Sequence, residues 1–369
     1  MTPTMAILLV ALLAGAACSV AGVFLVLRRS AMLADAMSHS LLPGLVAGFV
    51  LANGPHLGAG FLGATAAAVV TVWLVELLTK SRLVKEDSAI GIVFPAMFAI
   101  GVVIIARYFS NAHLDTDAVL YGEIALAPFD KWIVGGTNLG PIAAWILAAL
   151  LFINCVGVGT FAKELKLTTF DPGLASVLGI SPTVVHYGLM TLVAVTTVAA
   201  FSAVGAILAV GLIIVPAATA RLLTNRLWPT LLLSLGIGVV AGIIGSLSAM
   251  ALDVSISGMI ACTLGALFLL AFALSPSQGV LTQAMARRRL RHEFAARVLI
   301  MHLATHEGTP ASDEESRLEH LSSEFGWPEH RVEQIVRLAE SRRWVLQSGD
   351  RLRLSDEGRA EVVAFSASF

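Results

Sequence analysis

Charge is what this sequence has little of. Only 13% of its 369 residues are Asp, Glu, Lys or Arg, about half the share usual in a soluble domain. A chain this long with so few charges cannot face water over most of its surface. The charges are also unevenly spread. The stretch from Ser275 to Phe369 holds more than half of them, which divides the chain into an apolar region, 1–280, and a polar tail, 281–369. Cysteine is scarce as well. Cys18, Cys155 and Cys262 each sit in an apolar run, an odd count that gives no support to a disulfide framework and reads as small buried hydrophobes. The sequence has no Gly-x-x-x-x-Gly-Lys-Ser/Thr loop, so it carries no cradle of that kind for nucleotide phosphates. No basic segment precedes the Gly-Ala-Ala-Cys that ends at Cys18, so the first apolar run reads as a retained helix rather than a signal peptide.

What the sequence does have is long apolar runs. A spanning helix needs about 20 apolar residues, and nine stretches meet or approach that length: Met5–Leu27, Met32–Leu51, Leu57–Leu78, Ser88–Ala106, Leu139–Phe161, Thr183–Phe201, Ala206–Leu223, Pro229–Ala251 and Ile256–Leu274. Arg28 and Arg29, then Lys80, Arg82 and Lys85, then Lys163 and Lys166, then Arg221 and Arg226, and finally Arg287, Arg288, Arg289 and Arg291 all fall on one side of such a bundle. The positive-inside rule makes that side cytoplasmic, with the N-terminus outside and the tail inside. An interfacial or re-entrant helix within Tyr108–Thr137 would change the count to eight or ten. The expected class is an all-α polytopic membrane protein of about nine spans with a small cytoplasmic α+β domain. Gly44 with Gly48, and Gly238 with Gly242, have the spacing that lets helix backbones approach in lipid. Pro43, Pro95 and Pro216 lie within helical runs and free backbone carbonyls, which suits bends or gates as well as simple kinks.

Ionisable groups inside such a bundle are expensive, at least ~2.5–3.5 kcal/mol each on insertion scales, and mark pathways more often than in soluble cores. Asp35 and His39 are four residues apart at the start of the second run and share a helix face. Together they offer oxygen and nitrogen to one divalent cation, a donor set suited to manganese, iron or zinc rather than magnesium or calcium; a metal-free Asp–His hydrogen bond satisfies the same spacing. Because a ligating imidazole must be neutral, transport through this pair is expected to weaken as the pH falls through about 6. Ser38 and Ser40 are placed to orient the pair or to bond the backbone. Glu76 reads as a snorkelling side chain and Asp253 as a turn or N-cap residue. His186 reads first as structural and second as a metal ligand, and Glu123 as a residue lining an outer vestibule. His113, Asp115 and Asp117 form a small external acidic group.

The run from Leu27 to Gly44, with Arg28-Arg29, Asp35-x-x-Ser38-His39 and Leu42-Pro43-Gly44, resembles the metal-type ABC transporter permeases, which import manganese, zinc or iron. Further blocks fit in order. Lys163-Glu164-Leu165 through Phe170-Asp171-Pro172 and Ala175 to Gly179 is similar to the family's ATPase-coupling segment. Val204-Gly205-Ala206 through Pro216, and Leu252-Asp253-Val254 through Gly258, look like the later blocks. Two departures stand out: the Val254–Gly258 stretch lacks the Pro often found there, and Tyr121-Gly122 is followed by Glu123. The resemblance covers roughly residues 5–280. It implies that Asp35 and His39 handle the ion and that a separate cytoplasmic ATP-binding subunit pushes on Glu164 to Gly179. It further implies that an extracytoplasmic metal-binding protein delivers the ion and that a second permease copy, or a related permease, completes the pathway.

The tail reads as three amphipathic helices, marked by Phe294, Val298, Ile300, Met301 and Leu303, then Leu318, Leu321 and Phe325, then Val332, Ile335, Val336 and Leu338. A hairpin over Trp344–Leu346 and Arg351–Leu354 follows. That order resembles a winged helix, but its acids and bases nearly balance, which argues against DNA binding. His292, His302, His306, His320 and His330 read as scattered surface residues rather than a metal site. Three other functions stay open on sequence alone: a channel or secondary transporter working without an ATPase, a membrane-anchored metal-responsive regulator, and a permease for a metal chelate.

Overall fold

The computed structural model describes residues 1–54, 56–108, 124–134, 137–275, 279–310 and 312–367. They form two compact units, Met1–Gln278 and Gly279–Phe369. Among the described residues of the first unit, nine segments are long and apolar enough to cross a membrane. In chain order its helices are Pro3–Leu27 (α1), Met32–His39 (α2), Leu41–Leu51 (α3), Leu57–Lys80 (α4), Glu86–Tyr108 (α5), Ile142–Thr160 (α6), the short Ala162–Phe170 (α7) and Pro172–Val177 (α8), then Pro182–Val204 (α9), Ala206–Leu223 (α10), Leu227–Leu252 (α11) and Ile256–Leu274 (α12). The all-α polytopic class follows from backbone chemistry: without water to bond them, amides within lipid must be satisfied inside their own segment.

Helix α1 sits at the centre, packed against α6, α9, α10 and α11. It can do so because its facing residues are small. A Cβ on Gly15 would lie 2.5 Å from the Gly238 carbonyl oxygen, and one on Gly22 would overlap the carbonyl of Ile213. Both glycine pairs expected at helix contacts are found at them: Gly44 and Gly48 meet the backbone of α4, while Gly238 and Gly242 meet that of α1. Buried polar groups then fix the register. Asn154 donates to the Ala17 carbonyl and to Thr196 Oγ1, each at 3.1 Å, and Ser234 donates to the Ser19 carbonyl. Such bonds contribute only ~0.6 kcal/mol each in membranes, so they select an arrangement rather than supply its stability.

Several details within these spans differ from what the sequence suggested. The second apolar run is two helices that break at Ser40. Pro43 therefore sits in the first turn of α3, where its missing N–H costs little, instead of within a continuous helix. It has no N–H to return to the His39 carbonyl four residues back, and the break falls at the residue after that carbonyl. The fifth run begins at Ile142; Leu139 belongs to a strand, Thr137–Pro141 (β2), paired antiparallel with Lys131–Val134 (β1). Pro141 stands immediately before the helix. Of the two roles the sequence allowed Asp253, the structure shows the turn, with φ 53° at the end of α11, while the cap of α12 falls to Ser255, whose Oγ accepts from Gly258 N. Glycine is required at one link: Gly205, at φ 88°, alone joins α9 to α10.

The second unit is a small α+β fold. Helices Val280–His306 (α13), Ser312–Glu315 (α14), Leu318–Glu324 (α15) and Glu329–Ser341 (α16) precede the hairpin of Val345–Ser348 (β3) and Arg351–Leu354 (β4), and Asp356–Ser366 (α17) follows it. Gly349, at φ 64°, opens the two-residue turn of the hairpin. The core comprises Ala296, Leu299, Ile300, Ile335, Val336 and Val345 with their neighbours. Phe294, expected on the buried face, is 57% exposed. Helix α17 is absent from the sequence reading; Ser355 caps it by accepting from Gly358 N at 2.9 Å.

Two outcomes test this packing. Gly22→Leu should force α1 from α10 and destabilise the protein by at least about 1–3 kcal/mol, read as a lower thermal transition in detergent; an unchanged transition would contradict the contact. In the tail, hydrogen bonds from Arg359 hold the Glu307 carboxyl below the usual carboxylate range. A carboxylate with a depressed folded pKa stabilises above its unfolded value, ~4.3, and loses that contribution as the pH falls through the folded value. Glu307→Gln should therefore lower the melting temperature slightly at pH 7, because the pair is exposed, and leave it unchanged in acid below the folded pKa.

Candidate functional site

Helix α2 packs among α4, α5, α9 and α10. Leu33, Ala34, Ala36, Met37 and Ser38 are buried there, whereas Asp35 and His39 are 44% and 37% exposed. One face of an otherwise enclosed helix thus opens where its two ionisable groups stand. His39 Nε2 lies 3.5 Å from Asp35 Oδ1, beyond a good hydrogen bond and close to the span of two ligands on one ion. The imidazole rests against the Phe94 ring at 5.6 Å between centroids. Ser38 and Ser40 bond the backbone, to Ala34 O at 3.0 Å and Met37 O at 3.2 Å. Thr71 Oγ1 donates to Ser40 Oγ at 2.8 Å and so ties the break in the span to α4.

A second cluster lies where α1 ends, and it corrects the reading of Glu76. This carboxylate does not snorkel to solvent. Its Oε1 lies 2.5 Å from His186 Nε2, and its Oε2 accepts from Tyr187 Oη at 2.6 Å and Lys80 Nζ at 2.9 Å. On the far side of the imidazole, Arg28 Nη1 lies 3.1 Å from His186 Nδ1. A guanidinium can only donate, so Nδ1 accepts and the Nε2–H tautomer faces Glu76. Arg28 also donates through Nη2 to Thr168 Oγ1 at 2.9 Å and through Nε to Thr169 Oγ1 at 3.1 Å. Four elements, the end of α1, α4, α7 and α9, are therefore tied through one guanidinium–imidazole–carboxylate chain. His186 belongs to it and not to the Asp35–His39 pair. Sequence spacing gave no sign of this chain, because its partners lie on different helices.

Helix α7 leads directly into α8. Asp171 Oδ1 accepts from Leu174 N at 2.9 Å and Pro172 follows at the first helical position, a standard start for a helix. Gly179, at φ 81°, ends it; Ile180 N donates back to Ala175 O at 2.9 Å. Ala175 is fully buried, while Phe170, Leu174, Val177 and Leu178 are exposed. One Glu164 carboxylate oxygen is buried without a hydrogen bond. Pro95 and Pro216 lie inside the continuous helices α5 and α10. Glu123, His113, Asp115 and Asp117 lie outside the described residues.

Comparison with known proteins fits this architecture. The family model described as "ABC 3 transport family" matches residues 2–275. The chain is 41% identical over 355 residues, 96% of each chain, to the "Zinc transport system membrane protein TroD" of Treponema pallidum. It is 43% identical over 283 residues, 77% of this chain and 96% of the relative, to the "Manganese transport system membrane protein MntD" of Bacillus subtilis. Among solved structures, a chain of "PsaBC from Streptococcus pneumoniae in complex with Fab" superposes with a TM-score of 0.64 at 27% identity, covering 77% of this chain and 96% of that one. A match across the whole helical bundle, carried by relatives that align over nearly their full length, establishes that the chain belongs to the ABC 3 transport family.

Proposed function

We propose that the chain is the membrane-spanning permease of an ATP-driven importer for divalent transition metal ions, with manganese favoured over zinc or iron. The observation that carries this reading is the Asp35–His39 pair, two donors 3.5 Å apart on the one open face of α2. Oxygen and nitrogen donors together suit these metals, and the relatives are named for manganese and zinc.

The energy comes from a second polypeptide, a cytoplasmic ATP-binding subunit, and α8 is where it docks. Val177 and Leu178 are 83% and 62% exposed, apolar surface that a partner would cover, and Asp171, Pro172 and Gly179 hold the short helix rigid. Movement of α8 passes to α7, from α7 through Thr168 and Thr169 to Arg28, and on through His186 to Glu76. Pro95 and Pro216, each lacking one backbone bond, are the points where α5 and α10 bend as access switches. The distribution of Arg and Lys supports an orientation with the N-terminus outside and the tail in the cytoplasm, so an extracytoplasmic metal-binding protein meets the opposite end. A second permease copy, or a related permease, encloses the open face of α2. The bridge between Arg317 and Arg351, added to three helices and a hairpin, supports a winged-helix-like tail.

With the ATP-binding subunit in liposomes, Asp35→Ala and His39→Ala should each cut radiolabelled manganese uptake at least ~10-fold, with ATP binding unimpaired. Uptake at the parental rate would remove the pair from the pathway. Arg28→Gln should leave ATP hydrolysis running while fewer ions cross per ATP; an unchanged ratio would show that the guanidinium transmits nothing.

A further inference from the structure

Five histidines of the tail read as scattered in the sequence, yet the fold gathers three of them around one carboxylate. His302 and His306 lie one turn apart on α13, their rings 4.8 Å apart between centroids. Glu315 closes α14, and His320 lies on α15. One nitrogen each from His302 and His306 and one oxygen of Glu315 lie within 4.8 Å of one another. Glu315 Oε2 is 3.2 Å from His302 Nε2 and 2.8 Å from His320 Nε2.

Two features separate this arrangement from an ordinary surface ion pair. Both imidazole nitrogens are buried, and the polar atom each faces is the same Glu315 oxygen. They converge on a single carboxylate oxygen from two helices, and the 3.2 Å between His302 Nε2 and that oxygen is near the ~3.3–3.6 Å edge of a tetrahedron with metal–ligand bonds of ~2.0–2.2 Å. The surroundings also fix the ligands in place. The Phe325 ring packs edge-on against His302 at 5.2 Å. Arg351 pairs with Asp313 at 3.0 Å, and Leu352 N bonds Ser316 O at 2.9 Å, which anchors the segment carrying Glu315 to the hairpin. A cavity of about 370 Å³ opens beside His306 and Glu315 and gives an ion a way in.

We infer that His302, His306 and Glu315, with His320 beside them, form a binding site for one divalent transition metal ion in the tail. Imidazole nitrogens with one carboxylate oxygen match zinc best and accept cobalt in the same geometry. The ion would cross-link α13, α14 and α15, so occupancy of the site is coupled to order in this part of the tail.

The test uses the full chain in detergent with Asp35→Ala and His39→Ala in place, so that the proposed membrane pair contributes nothing to the signal. After loading with zinc and desalting, this chain should retain one zinc per polypeptide, and with cobalt it should show the visible absorption of a tetrahedral site. Adding His302→Ala and His306→Ala should weaken retention at least ~10-fold. Glu315→Gln, which keeps the shape of the side chain, should abolish the tetrahedral cobalt spectrum while far-ultraviolet dichroism stays parental. No zinc retained by the starting chain, or unchanged affinity in the double histidine variant, or an unchanged cobalt spectrum in Glu315→Gln, overturns the assignment.

Discussion

The backbone contact of α1 with α10 and α11 is the constraint on which the membrane unit depends. Lipid is as apolar as the side chains it surrounds, so helices gain little from hiding leucines from it. They associate where backbones come close enough for dispersion to act over many atoms at once. Gly15, Gly22 and Gly238 permit that distance. The central position of α1 follows, and with it the position of everything α1 touches.

Its end ties several helices together. Arg28 caps α1 and reaches α7 and His186 together. A guanidinium suits this place because its donors are fixed in a plane and remain charged at any physiological pH. Lysine would offer a point charge and a flexible stem, and could not bridge two hydroxyls and an imidazole with defined geometry. The Asp35–His39 pair stands one short helix further along the chain. The Asp35–His39 pair and the Arg28 network thus share one covalent segment, Leu27 to Ser40.

The spans were legible because a helix that crosses lipid has a required length and composition, and both can be counted. The break at Ser40 was not read, because Leu41–Leu51 continues the apolar run without a pause; the sign was present in Pro43, whose missing N–H falls on the residue four earlier. Asp35 and His39 were legible because both partners lie on one helix. Glu76 was misread for the opposite reason: its partner Tyr187 is 111 residues away, and periodicity within a helix carries no information about its neighbour. The tail histidines fall between these cases. His302 and His306 show the four-residue spacing, but Glu315 arrives by way of a turn whose path the sequence does not specify. Helix α17 carries few large apolar side chains, and its Ser355-Asp356-Glu357 start was the available signal.

The link at Gly205 has a mechanical meaning. Helices α9 and α10 are joined by a single residue, and consecutive Cα atoms are only about 3.8 Å apart. A hairpin with a long loop lets its two arms slide independently, taking up the difference as slack. Here there is no slack. Any axial travel of α9 beyond a few ångströms must drag α10 along or unwind a turn of helix inside the bilayer, which the lack of water makes costly. The two arms therefore behave as one stiff lever, free to swivel at the glycine but not to lengthen.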